Sequence, residues 1–304
     1  MEGNKFTQEC EGIVIGVEEV EKPILREQLP WPWPFKEKEK IGKYVIIKEV
    51  GEGEFAKVFL AKDTYRKTEV ALKALKSHYI SNLSVVDDFV NEANIAMELR
   101  EDHIVSVYSV EKVEFSGIEY PFIVMEYMKG GSLANKILFE PLSFPEIINI
   151  IHDVCMALNY AHNHPKKIVH CDVSPSNIFF DENIGLWKLG DFGLARMALR
   201  DEKSSLRRGG KYTAPEIKDG LKPSDKSDVY SLGMVFKELL IGDARVKIDM
   251  SRLERLHSKV SPEILQNVKL LIEKMTNPDP SQRPSIKDVL IDIRKLQFRT
   301  GLEF

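Results

Sequence analysis

The segment IVHCDVSPSNIFF sets two oxygen-bearing side chains, Asp172 and Asn177, in a polar loop between apolar runs. Fourteen residues after Asn177, KLGDFGLA presents another carboxylate, Asp191, between a strand pattern and a glycine. A carboxylate, an amide and a second carboxylate suit a hard divalent cation and can accept the proton of a hydroxyl nucleophile. Those are the needs of phosphoryl transfer. Either motif alone is also an ordinary turn. Two further charges lie where charge is unfavourable unless partnered. In EVALKAL, Lys73 stands in a strand pattern between Leu72 and Ala74, where an ammonium needs a counter-charge or a phosphate. In VVDDFVNEANIAMELR, Glu92 shares a helix face with Phe89, Ala96 and Leu99 and so points toward a core as an acid needing a cation. Each alone could be a solvated edge; taken together they predict a Lys73–Glu92 ion pair. GEGEFAKV lies between two strand patterns, and Gly51 and Gly53 would let backbone N–H groups approach phosphate oxygens, or equally make a plain hairpin turn.

The order GxGxxxxV, VALK, helix Glu, HxDxxxxN, DFG and APE resembles that of the eukaryotic-type protein kinases, over roughly Ile41 to Leu296. The resemblance implies an α+β, bilobal protein-kinase-like fold. Its N-lobe would be a five-stranded antiparallel sheet with one helix, and its C-lobe mainly helical. It implies ATP and Mg²⁺ as cofactors and a protein as substrate. Lys73 would hold the α and β phosphates beside Glu92, Asp172 would be the catalytic base, and Asn177 and Asp191 would bind Mg²⁺. Gly51, Glu52, Gly53, Val58 and Ala71 would line the nucleotide, with Met125 as gatekeeper and the backbone from Glu126 to Met128 receiving the adenine. The family also pairs the Glu of TAPE, Glu216, with Arg283 of NPDPSQRPS. Asp228, near a helix start, would fix the catalytic loop or act only as a helix-dipole acid.

Four positions depart from that pattern. Ser174 stands where serine/threonine kinases place a lysine that contacts the γ-phosphate. Losing one such donor slows a site on the order of 100 to 1,000-fold unless another cation replaces it. Gly209 replaces the threonine that partners that lysine, so the network is lost as a unit or rebuilt around Lys211 or Arg208. Cys171 removes the arginine that receives a phosphorylated activation loop. Ala56 occupies the third glycine position of the phosphate loop, a change of about 1 kcal/mol or less if the backbone there is open to alanine. The leading reading is an ATP-dependent protein kinase acting on serine or threonine. The alternatives are a pseudokinase scaffold, favoured by Ser174, Gly209 and Cys171, and a small-molecule kinase, opposed by the TAPE segment and Arg283. A P-loop enzyme is excluded because GGKY lacks the required glycine spacing and Ser or Thr.

The elements that must position these residues are legible as periodicity. Short β-type runs, KYVIIKEV, KVFLAK, EVALKAL, HIVSVYSVEKVEF and YPFIVMEY, flank one helical pattern. After the paired glycines of MKGGSL the pattern turns helical, with helix starts marked by Ser143 and Glu146, Ser261 and Pro262, and Ser285 and Asp288. The division expected is an N-terminal extension at 1–42, a first lobe at 43–127 and a second at 128–304. In the extension GIVIGV reads as a strand, and Trp31, Trp33 and Phe35 as rings packed on the first lobe or offered to a partner. With 304 residues and 43% hydrophobic content the chain can bury a real core, and a net charge of −4 gives no field to hold nucleic acid. No uncharged apolar run approaches the roughly 18 residues of a membrane span. Cys10, Cys155 and Cys171 form no disulfide framework, so a cytoplasmic protein with reduced thiols is expected. Ser204 and Ser205, beside Arg207 and Arg208, are expected autophosphorylation sites. Peptide mass spectrometry after incubation with Mg²⁺-ATP should find phosphate there; unmodified serines in a protein that labels others would refute it.

Overall fold

The computed structural model describes residues 34–192 and 210–299, so the GIVIGV segment, Cys10, Trp31, Trp33, Ser204, Ser205 and Arg207 to Gly209 lie outside the described residues. Strands β1 (Lys40–Ile41), β2 (Tyr44–Glu52), β3 (Ala56–Asp63), β4 (Glu69–Leu75), β5 (Val107–Phe115) and β6 (Ile118–Glu126) form one antiparallel sheet in the order β1-β2-β3-β4-β6-β5. The five expected strands are all present, and a sixth joins them at the edge. The addition is the two-residue β1, too short to show alternation, which turns back on Tyr44 and Val45 through Gly42 at φ +57°. Phe35 buries its ring against Phe59 and Phe122, with centroids 5.7 and 5.6 Å away. The packing role expected of that ring is therefore the one it plays.

Helix α1 (Leu83–Ala96) crosses between β4 and β5, starting where the Asn82 side chain accepts the N–H of Val85. It buries Phe89 and Ala93 against the sheet and Ala96 in the core of the second lobe, and Asp88 and Glu92 are buried on it too. Leu99 is buried just beyond its end.

The second lobe holds α2 (Leu133–Phe139), α3 (Phe144–Asn163), α4 (Pro215–Lys218), α5 (Asp225–Ile241), α6 (Met250–Leu256), α7 (Pro262–Met275) and α8 (Ile286–Arg299), with the hairpin β7 (Ile178–Asp181) and β8 (Leu186–Leu189). The three expected starts are real. Ser143 and Glu146 form a capping box, the Ser261 hydroxyl accepts from Ile264, and Ser285 and Asp288 bond reciprocally. α3 is apolar around most of its circumference, with Ile147, Ile151, Val154, Leu158 and Ala161 buried, so it runs through the core.

The lobes join where β6 ends and Met128 to Ser132 turn onto β7. The N–H of Phe180 donates to the carbonyl of Gly131 at 3.0 Å, and a Cβ added at Gly130 would lie 2.6 Å from the carbonyl oxygen of Phe180. The chain needs glycine there for close backbone approach. Gly130→Ala should destabilise the protein by about 1–3 kcal/mol in chemical denaturation, the cost of overpacking against backbone. Gly53→Ala, where the added atom meets nothing nearer than 3.6 Å, should leave stability unchanged.

Candidate active site

The catalytic loop is set by a buried acid. Asp228, near the start of α5 and fully buried, accepts the backbone N–H of His170 at 2.8 Å and of Cys171 at 2.7 Å, and Nε2 of His162 at 2.8 Å. Of the two readings open for Asp228, loop anchoring is the one realised. Cys171 takes φ +67° to present its N–H. His170 donates from Nε2 to the carbonyl of Gly190 at 2.8 Å and accepts the N–H of Asp172 at Nδ1. Asn177 donates from Nδ2 to the carbonyl and to Oδ2 of Asp172, at 2.8 and 2.9 Å, and the N–H of Gly190 closes on the carbonyl of Asn177. Asp172, Asn177 and Asp191 are thus brought together as expected. Burial pushes the Asp172 carboxyl above the ordinary carboxylate range; the Asn177 bond and nearby Lys73 pull the other way but do not reverse it.

Lys73, 5% exposed, lies opposite Val58 on β3 and Ile123 on β6. Its ammonium pairs with Oδ1 of Asp191 at 2.8 Å. The expected Lys73–Glu92 pair is therefore corrected to Lys73–Asp191. Glu92 lines the same cavity, with Met125 and Phe192, and Asp191, which takes the lysine, is held at φ +60°. Periodicity does not report the backbone conformation that places Asp191 beside the lysine.

The remaining nucleotide-side residues fall on one stretch of sheet. Gly51 faces Val58 across β2 and β3, and Ala71 faces Met125 across β4 and β6. Neither Gly51 nor Gly53 adopts a left-handed φ, and an added Cβ would meet only ordinary contacts. The hairpin itself does not require them. Glu52 pairs with Lys76 at 2.7 Å and Lys57 at 3.3 Å. Ala56 opens β3 opposite Leu75, a strand conformation that alanine accepts. Met128 is buried at the lobe junction.

Sequence reasoning missed Lys188. This buried lysine on β8 reaches Asp181 at 2.8 Å and both oxygens of Glu126 at 2.9 and 3.1 Å, while Glu126 also accepts the N–H of Ser106. Burial lowers the lysine pKa, but the bonds to Asp181 and Glu126 outweigh it and hold the ammonium above its usual value. The triad ties the end of β6 to the hairpin that leads to Asp191. The signal was the one used for Lys73: a lysine inside an apolar strand, LWKL.

Arg283 and Glu216 form the expected bidentate pair, at 2.7 and 2.8 Å. Glu216 also accepts the Ser227 hydroxyl, and the guanidinium lies 4.8 Å over the Tyr230 ring. Lys211 does not replace the missing cation. Its ammonium, like the Tyr212 hydroxyl, is taken by Glu238 on α5. Ser174 and Cys171 are buried, and burial raises the Cys171 thiol pKa and keeps it neutral; a hydroxyl and a thiol supply no positive charge.

The chain matches the family model described as protein kinase domain over residues 44–292. It belongs to the protein kinase family. It is 33% identical over 267 residues to the serine/threonine-protein kinase PrkC of Bacillus subtilis, spanning 83% of this chain and 40% of that one. It is 34% identical over 257 residues to the serine/threonine-protein kinase PknB of Mycolicibacterium smegmatis, spanning 78% and 40%. The chain thus covers about two-fifths of these relatives. The fold is that of the crystallised Mycobacterium tuberculosis PknI kinase domain, with TM-score 0.65 and 21% identity, over 86% of this chain and 99% of that one.

Removing one partner of a buried charge pair leaves the other uncompensated. Arg283→Met should therefore lower stability by about 3–5 kcal/mol in denaturant titration, and a loss under about 1 kcal/mol would contradict the geometry.

Proposed function

We propose that the chain transfers the γ-phosphate of ATP to serine or threonine hydroxyls of proteins. The observation that carries this reading is the Asp172–Asn177–Asp191–Lys73 constellation, in which Asn177 bonds Asp172, Lys73 bonds Asp191, and the Gly190 N–H on the Asn177 carbonyl joins the two pairs. Asp172 accepts the proton of the attacking hydroxyl. Asn177 spends its amide N–H on Asp172, so its carbonyl oxygen is the end that can meet a cation; with the Asp191 carboxylate it forms an oxygen donor set that suits Mg²⁺. When bound, Mg²⁺ neutralises charge on the phosphates. Lys73 holds the α and β phosphates, exchanging its Asp191 contact for them. Gly51 and Gly53, which the hairpin does not need, leave the backbone open to phosphate oxygens. The side chain of Glu126, fixed by Lys188, steadies the backbone that receives the adenine.

A protein substrate is favoured over a small molecule by the Glu216–Arg283 pair, which braces a platform a small substrate does not need. The kinase names of PrkC and PknB support serine/threonine chemistry. The pseudokinase alternative has no comparable support, since every acid and amide of the reaction is retained. The lobes serve this reading as 43–127 and 128–304, with 1–42 an extension whose Phe35 and β1 complete the first sheet. Cys155 and Cys171 are buried free thiols, which suits the reducing cytoplasm. No helix among the described residues is long and apolar enough to cross a membrane.

Purified chain with Mg²⁺ and labelled ATP should label protein, and Asp172→Asn should reduce labelling by about 100 to 10,000-fold. Equal labelling by both would end the assignment. Because the Asp172 pKa is raised, the acid limb of kcat/KM should lie above the ordinary carboxylate range. The stability sign is opposite. Between the unfolded and the raised folded pKa the native state holds the extra proton, so this group's contribution falls as pH rises through that window. Asp172→Asn should then unfold at or above the wild-type temperature at neutral pH. Ser174→Lys should raise kcat by about tenfold or more by restoring a γ-phosphate donor.

A further inference from the structure

The loop from α1 to β5 lies along α3, and polar contacts hold it there. Glu98 reaches Lys166 just past the end of α3, the N–H of Arg100 donates to the Tyr160 hydroxyl at 3.4 Å, and His103 faces Asp153. The first two contacts are exposed to solvent; the third is not. The same loop pairs with β8 two residues before Asp191. There the carbonyl of His103 accepts the N–H of Leu189 at 2.8 Å, and the N–H of Val105 donates to the carbonyl of Leu189 at 3.0 Å. The seat of this loop therefore bears both on α1, which carries Glu92, and on the strand that delivers Asp191.

His103 stands between two carboxylates. Its Nδ1 lies 2.9 Å from Oε1 of Glu101, on its own loop, and its Nε2 3.5 Å from Oδ1 of Asp153, on α3. A carboxylate only accepts, so both ring nitrogens meet an acceptor, and only the imidazolium carries a hydrogen on each. A neutral ring would turn a lone pair toward one of the two acids. Burial lowers the His103 pKa, but the bonds to Asp153 and Glu101 outweigh it and hold the ring above its ordinary value. The other groups nearby do not oppose this. His152 on α3 turns its own Nδ1 to Asp153 at 3.1 Å, Asp102 on the loop is exposed, and on β8 the Lys188 ammonium is taken by Asp181 and Glu126.

We infer that His103 is a positioning residue that works as an imidazolium: bridging Glu101 and Asp153, it seats the α1–β5 loop on α3 and β8, and loss of its proton loosens that seat and slows phosphoryl transfer. The neutral ring keeps a hydrogen for one acid only. Asp153, its side chain 5% exposed, also accepts the Trp187 N–H and cannot leave, whereas Glu101, 22% exposed, can turn to water. The carbonyl of Glu101 accepts the N–H of Ile104, which bridges to Leu189 on β8, so the turn at Glu101 and the contact with β8 loosen together. Histidine is the side chain whose charge changes closest to neutral pH, which makes this contact responsive to proton concentration. The effect on transfer rests on the kinase reading; the charge and the seat of the loop do not.

The test is a pH titration of the full chain. Proton NMR of the histidine rings should show one ring, lost in His103→Gln, that titrates above about 6.5. Glu101→Gln should lower its pKa and move no other ring as far; if His103→Gln does not fold, that shift identifies the ring. Protection of the Ile104 and Leu189 amides, corrected for intrinsic exchange, should fall by about tenfold as the wild-type ring loses its proton, the scale of one hydrogen bond to a charged group. Because the folded pKa is raised, the stabilisation is complete below about pH 6.5 and is lost as pH rises through the folded value. The thermal advantage of wild type over His103→Gln should shrink over that window. With Mg²⁺-ATP, kcat of the wild type should fall on the alkaline side with the pKa of the ring, and His103→Gln should lack that limb while keeping the acid limb of Asp172. A His103 ring that titrates at or below about 6.5 overturns the bridge. Protection unchanged through the titration overturns the seat, and an alkaline limb retained in His103→Gln overturns the link to transfer. Absence of transfer at every pH would end the kinase reading and leave the titration and exchange results standing, so the two failures are distinguishable.

Discussion

A carboxylate with no exposure to water must be satisfied from within, and Asp228 is satisfied by the catalytic loop. Three N–H donors converge on it, two from the backbone at His170 and Cys171 and one from the His162 ring. A buried charge left unpaired is unfavourable by about 3–5 kcal/mol, more than the strain of roughly 1–3 kcal/mol that one left-handed residue carries. The stronger constraint wins, and Cys171 bends to φ +67°. With that backbone fixed, His170 has one direction left, toward Gly190. The loop bearing Asp172 and Asn177 is thereby attached to the segment bearing Asp191.

The two lobes meet this arrangement through buried lysines. Lys73 extends from the sheet to Asp191, and Lys188 extends from the hairpin to Glu126 at the end of β6. Each ammonium sits in a low-dielectric setting where its stability depends on its partners, so the pairs fix distance as well as charge. The Glu216–Arg283 pair does the same for the segment before α5, with the guanidinium's remaining hydrogens spent on the carbonyls of Asn277, Lys226 and Pro278. Such pairs orient more than they stabilise.

What the sequence made legible was whatever is encoded locally or by motif. Ser143, Ser261 and Ser285 announce their helices because a cap and its partner lie within one turn. Asp172, Asn177 and Asp191 are legible because their chemistry is restricted to few residue types. The misreadings arose where a side chain chooses among distant partners. Lys73 pairs with Asp191 while Glu92 lines the same cavity, an arrangement that spacing along the chain does not report. Lys188 meets Glu126 across 62 residues of sequence, and Lys211 meets Glu238 across 27, distances over which spacing carries no information. Strand β1 was invisible because two residues cannot display a period.

The account makes Asp228 the organiser of the site, and Asp228→Asn tests this most directly. The amide keeps the shape but offers one accepting oxygen where two were used, so at least one of the His170 and Cys171 N–H groups loses its bond. Phosphoryl transfer with Mg²⁺-ATP should then fall by about 100-fold or more, the scale of a catalytic group displaced by around 1 Å, with the protein still folded. A folded Asp228→Asn protein that transfers phosphate at the wild-type rate would contradict the account.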